Sequence, residues 1–170
     1  MGPIVLLVAS FLFLADSAFL FGKAEAKGMG AVNAVLGGLM ATMGLQIGFT
    51  ANGEAFPLIL SSLSLTFATF YLVLAWSLLG GFALTGLGWY SLGAGLWVLV
   101  AAGYFFFEAR DSYLGVFALV WSILFLAAWG NMSFDRAKLG ILVRWILGLG
   151  SIITLMIPAY LLIIGQWPPF

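Results

Sequence analysis

The 170-residue chain contains no cysteine and no histidine. The first absence excludes disulfides and thiolate chemistry. The second removes the commonest metal ligand and general base, and the one side chain whose ordinary titration falls between about pH 5 and 8. Charge is almost as scarce. Asp, Glu, Lys and Arg make up 7% of the chain, six basic against six acidic, and formal net charge is zero. Soluble domains carry about 25% charged residues. A neutral chain of this kind offers no basic surface to nucleic acid and no acidic surface to a cationic partner. No nucleophile–base pair, metal-ligand cluster or phosphate loop is present, and the glycines are scattered through apolar runs. These absences describe a non-enzyme without a cofactor or metal.

What fills the chain is hydrocarbon. Hydrophobic residues make up 64% of it, and its mean hydropathy is +1.19. They fall into six apolar stretches. A membrane-crossing helix needs roughly 20 mostly apolar residues, so six account for most of the length. The expected fold is all-α: one integral membrane domain over residues 1–170, with six spans arranged as three antiparallel hairpins. The spans run from about Pro3 to Phe21, Gly30 to Phe49, Phe56 to Leu79, Leu87 to Phe107, Tyr113 to Gly130 and Leu139 to Gly165. Every connection is short, which makes consecutive helices antiparallel neighbours. The first stretch lacks a basic leader and is long, so it reads as a retained span rather than a cleaved signal.

Orientation follows from the few basic residues. The odd-numbered connections carry Lys23, Lys27, Arg136 and Lys138, with Arg144 near the start of the sixth span. The even-numbered ones carry only Arg110, beside Glu108 and Asp111. Basic loops favour the cytoplasm, so both ends of the chain are expected outside a cell (inner) membrane. Among the 22 glycines, Gly37-Gly38 and Gly93-Ala94-Gly95 are expected at helix contacts, where small residues let backbones approach. Trp76, Trp89, Tyr104 and Trp167 lie near span ends, where aromatic belts form.

Asp16 is the one acid inside a span. It lies seven residues before Lys23, and Asn33 lies six residues after Lys27 on the antiparallel neighbour. At 1.5 Å per residue both sit roughly 10 Å deep. They form a buried polar pair that reads either as a structural clamp between two spans or as the polar lining of a pore. Trp121, Leu124 and Phe125 share one helical face, as do Phe67 and Tyr71, and Leu6 and Phe13. Taken alone, such stripes read as packing or lipid contact.

Several fragments occur in order: IVLL at 4–7, Lys27 and Asn33 leading to Gly37-Gly38-Leu39-Met40, the Phe67/Tyr71 pair, WYSL at 89–92, the face led by Trp121, and IPAYLL followed by QW across 157–167. Together they resemble the AmiS/UreI family of amide and urea channels over the whole length. The resemblance implies a homo-hexamer in lipid, with a pore through each protomer. Its constrictions would be formed by Leu6, Phe13, Phe67, Tyr71, Trp121, Leu124 and Phe125, and the solute would be a small neutral amide or urea. Phe13 stands where the urea-conducting branch has Leu, Phe125 where it has Trp, and Gly150 where it has an acid. The acid-gated branch has a long histidine-bearing outer loop, which the short second connection here lacks. The implied activity is a constitutively open, ungated passive channel supplying a cytoplasmic amidase or urease. A proton-coupled amide carrier using Asp16, and a non-transporting scaffold that docks an amidase, are the alternative readings.

Overall fold

The computed structural model describes residues 2–167. All regular structure among them is helical: α1 (Gly2–Leu20), α2 (Ala26–Phe49), α3 (Ala55–Gly80), α4 (Thr85–Phe107), α5 (Ser112–Phe134) and α6 (Ala137–Ile163). Each is long and apolar enough to cross a membrane. The six expected spans are all present. Met1 and residues 168–170, which fall in the expected domain, lie outside the described region.

Two boundaries differ from the sequence reading by four residues, and the others by two at most. Helix α2 starts at Ala26, four residues before Gly30, because Ala-Lys-Gly-Met can extend the helix past the hydrocarbon. Helix α5 continues through Asn131-Met132-Ser133-Phe134, which the sequence suggests as a connection. Its extra turn is held by tertiary contacts. Phe134 packs edge-on against Trp129 at 5.5 Å and against Trp89 at 5.9 Å. The helix stops at Asp135, whose φ of 52° is left-handed.

The helices form a closed ring in which α1 meets α6. One hydrogen bond ties every neighbouring pair. Asn33 Nδ2 donates to Asp16 Oδ1 between α2 and α1 at 2.9 Å. Ser61 Oγ donates to the Gly44 carbonyl at 2.7 Å, and Tyr90 OH to the Thr66 carbonyl at 2.8 Å. Ser122 Oγ donates to the Gly95 carbonyl at 2.8 Å, Trp121 Nε1 to Thr154 Oγ1 at 2.9 Å, and Ser17 Oγ to the Arg144 carbonyl at 2.9 Å. In lipid, where burying apolar surface does not drive helices together, such bonds contribute about 0.6 kcal/mol each on average.

Packing around the ring is uneven. The most intimate neighbours are α2 with α3 and α4 with α5, across the second and fourth connections. Glycine explains this. Gly30, Gly37 and Gly44 recur every seven residues along the α2 face against α3. A methyl group at Gly37 would sit 3.2 Å from Tyr71 Cβ, and one at Gly44 would sit 3.0 Å from Ser64 Cβ. On α4, Gly88 meets Ser133 and Gly95 meets Leu126. Gly38 and Gly93 face open space, so one glycine of each expected contact motif makes the contact.

The outward surface is hydrocarbon. Val35 is 70% exposed, Trp76 72% and Phe107 80%. Contiguous apolar surface on this scale belongs in lipid or against another protein.

Candidate functional site

The ring encloses space. A cavity of about 320 Å³ is lined from all six helices, including Leu6, Phe13, Met40, Phe67, Phe105, Trp121 and Leu155. Ile47, Phe56, Asp111 and Trp167 lie in its wall toward the even-numbered connections. A second cavity of about 90 Å³ lies toward the lysine-bearing side. It is lined by Asp16, Phe67, Phe70, Tyr71, Leu124, Phe125 and Asn131, among others. Phe67 lines both.

Phe67 sits at the centre of an aromatic septum. Its ring lies 5.8 Å from Phe13, 5.8 Å from Trp121 and 4.8 Å from Phe125. Phe13 also lies 6.5 Å from Tyr71. These separations fall in the range where aromatic pairs contribute about 0.5–1.5 kcal/mol each beyond burial. Phe13, Phe67, Tyr71, Trp121 and Phe125 are all buried. The seven residues named from sequence therefore divide between the chambers. Leu6, Phe13 and Trp121 line the larger cavity, Tyr71, Leu124 and Phe125 line the smaller one, and Phe67 lines both.

The septum has a polar brace that sequence reasoning missed. Trp121 Nε1 donates to Thr154 Oγ1, and Thr154 donates onward to the Gly150 carbonyl at 2.8 Å. Thr154 lies in a π-helical segment of α6, Ser151–Met156. Pro158 explains the segment: it has no N–H for the carbonyl four residues back, at Thr154, and a widened turn absorbs the misfit. Pro158 was the only signal available. The pairing joins residues 33 positions apart.

Trp167 was expected in an interfacial belt. It instead lines the larger cavity and donates through Nε1 to Asp111 Oδ2 at 2.8 Å. The other oxygen of Asp111 caps α5 at the Leu114 N–H. Toward the lysine-bearing side, Asp16 is 3% exposed and Asn33 is fully buried. Their shared bond uses Asn33 Nδ2 as donor and Asp16 Oδ1 as acceptor. Asp16 Oδ2 and Asn33 Oδ1 have no partner among the described residues.

The interior is chambered, its walls are mostly apolar, and no metal-binding group occurs among the described residues. A family model for AmiS/UreI family transporters matches residues 1–166. The chain belongs to the AmiS/UreI family. Members of this family are channels or transporters rather than enzymes. A Mycolicibacterium smegmatis relative, named provisionally as an amidate substrates transporter, is 25% identical over 167 residues, covering 98% of this chain and 78% of that protein. A Rhodococcus erythropolis relative, named provisionally as the transporter AmiS2, is 26% identical over 167 residues, covering 98% and 81%. The cryo-EM structure of the Helicobacter pylori urea channel in its closed state matches with a TM-score of 0.88 at 21% identity, covering 98% of this chain and 100% of that one. The crystal structure of that channel gives 0.84 at 24% identity, with 98% and 99% covered. At such identities the likeness carries the AmiS/UreI fold.

Proposed function

We propose that this AmiS/UreI protein is a passive channel for small neutral amides or urea. It is open without gating and supplies a cytoplasmic amidase or urease. The observation that carries this reading is the aromatic septum between two cavities inside a single helix ring. A flat, uncharged amide presents the thinnest profile to these packed rings and passes edge-on as they part. A hydrated ion has no group there to replace its water shell, and binding stays weak enough for the solute to leave. The names of the two relatives point to amide-type substrates, and the shared fold with a urea channel supports conduction within one protomer.

On this reading each protomer is one pore of a homo-hexamer in the cell membrane, with both chain ends outside. The bias of Lys23, Lys27, Arg136 and Lys138 toward the odd-numbered connections supports that orientation. A second reading, proton-coupled transport, draws support from Asp16 in the wall of the smaller cavity.

Purified protein in liposomes tests both. Acetamide-induced swelling should exceed that of protein-free vesicles and should persist with the proton gradient collapsed. Trp121→Ala and Phe125→Ala should each change the acetamide-to-water permeability ratio several-fold. Unchanged ratios in both folded variants refute the septum as the filter. Flux abolished by an uncoupler refutes the passive mode in favour of the carrier.

A further inference from the structure

Asp16 is the one acidic side chain held within the interior of a helix, and it lines the smaller cavity. One of its oxygens, Oδ1, receives the Asn33 amide at 2.9 Å. The other, Oδ2, is buried and has no partner among the described residues. Asn33, fully buried behind it, likewise leaves Oδ1 without one. The pair therefore has spare acceptors, and the donor that serves Asp16 is already spent within it. A bare carboxylate oxygen at membrane depth is costly, and such groups mark solute or ion pathways. The chamber beside it, about 90 Å³, exceeds the roughly 10–15 Å³ needed for one water. A solute wider than water has room.

We propose that Asp16, set by Asn33, is a solute-docking residue that selects for N–H donors: its Oδ2 accepts a hydrogen bond from the –NH₂ group of a primary amide or urea in the smaller cavity. This rests on the transport reading above and adds to it the group recognised. Asp16 takes the N–H end of the solute, while the Tyr71 hydroxyl and the Asn131 amide in the same wall are donors for its C=O end. Asp16 offers acceptors only, and Tyr71 and Phe125 in the same wall provide ring faces for the flat amide. Asn33 acts as the positioning residue, because its Nδ2 occupies Oδ1 and leaves Oδ2 without a partner; Oδ2 is covered in this structure, so docking needs a small rotation of the carboxyl toward the chamber.

The test uses the full protein in liposomes and trace labelled acetamide. Unlabelled acetamide, which has two N–H bonds, should compete at a concentration roughly ten-fold below that required of N,N-dimethylacetamide, which has none; one charge-assisted hydrogen bond supplies a difference of this size. Asp16→Asn lets the two side-chain amides satisfy each other, and should raise the half-competing acetamide concentration toward that of the dimethyl compound. Infrared difference spectra of the native protein carrying ¹³C-carboxyl aspartate are independent of how the variant folds. Acetamide should shift a buried carboxylate band, and N,N-dimethylacetamide should leave it in place. Equal competition by the two amides, or a buried carboxyl band of a protonated acid that ignores acetamide, overturns the docking role. The latter result would mean that a proton shared with Asn33 satisfies the pair. Absence of any protein-dependent acetamide flux would overturn the transport reading itself, a separate outcome from loss of the preference.

Discussion

Replacing Thr154 by valine tests whether the septum is held by its brace. Valine keeps the branched shape and removes only the hydroxyl. Trp121 Nε1 then loses its acceptor at 2.9 Å, in a position where the indole is 5% exposed. An unsatisfied buried donor costs about 1–3 kcal/mol. What remains to orient the ring near Phe67 is an edge contact at 5.8 Å and 86°, worth about 0.5–1.5 kcal/mol. The lost bond is at least as strong as the contact that survives it. Each 1.4 kcal/mol is a factor of ten in population, so the native indole orientation should lose its dominance over other rotamers. A septum that samples a swung Trp121 should leak water relative to amide.

The assay is stopped-flow light scattering on proteoliposomes, measuring osmotic water permeability and acetamide permeability on the same vesicles. Thr154→Val should shift their ratio several-fold, and Thr154→Ser, which keeps the hydroxyl, should stay close to native. If valine leaves the ratio unchanged in folded protein, either the brace does not position Trp121 or Trp121 is not part of the filter. If serine shifts the ratio as much as valine, the methyl group rather than the hydroxyl sets the packing, and the hydrogen-bond argument fails.

Gly37→Leu should destabilise the α2/α3 contact by about 1–3 kcal/mol, because even a Cβ there meets Tyr71 Cβ at 3.2 Å; Gly38→Leu, facing open space, should be close to neutral, and detergent-resistant melting distinguishes the two. Acetamide swelling rates should stay flat between external pH 5 and 8, since the chain has no histidine to charge in that window; a steep reversible loss there would point to Asp16, the one acid within a helix interior, as a gate.

The six spans could be read from sequence because lipid imposes a strong one-dimensional constraint. An uninterrupted apolar run of sufficient length has one low-energy fate in a bilayer, and the larger boundary slips came where a helix continued past its apolar run, through Lys27 at the start of α2 and through Asn131 and Ser133, on tertiary support, at the end of α5. The Asp16–Asn33 hydrogen bond joins two residues that sequence had set at one depth, since two antiparallel helices on a short link share a depth scale that can be counted from the loop. The division of the seven aromatic and leucine positions between two chambers was not readable, because it depends on rotation of each helix about its axis. That rotation is set by which glycines meet a neighbour: Gly37 does and Gly38 does not, and the letters alone do not separate them. Thr154 was hidden for a further reason. Its register relative to Trp121 depends on the π-helical segment before Pro158, in which it lies; the widened turn shifts the residues within and after it around the α6 axis. Had α6 stayed regular, the face presented to Trp121 would have been a different one. The brace on Trp121 therefore depends on a local departure from helical periodicity, and periodicity is what sequence reading relies on in a membrane protein.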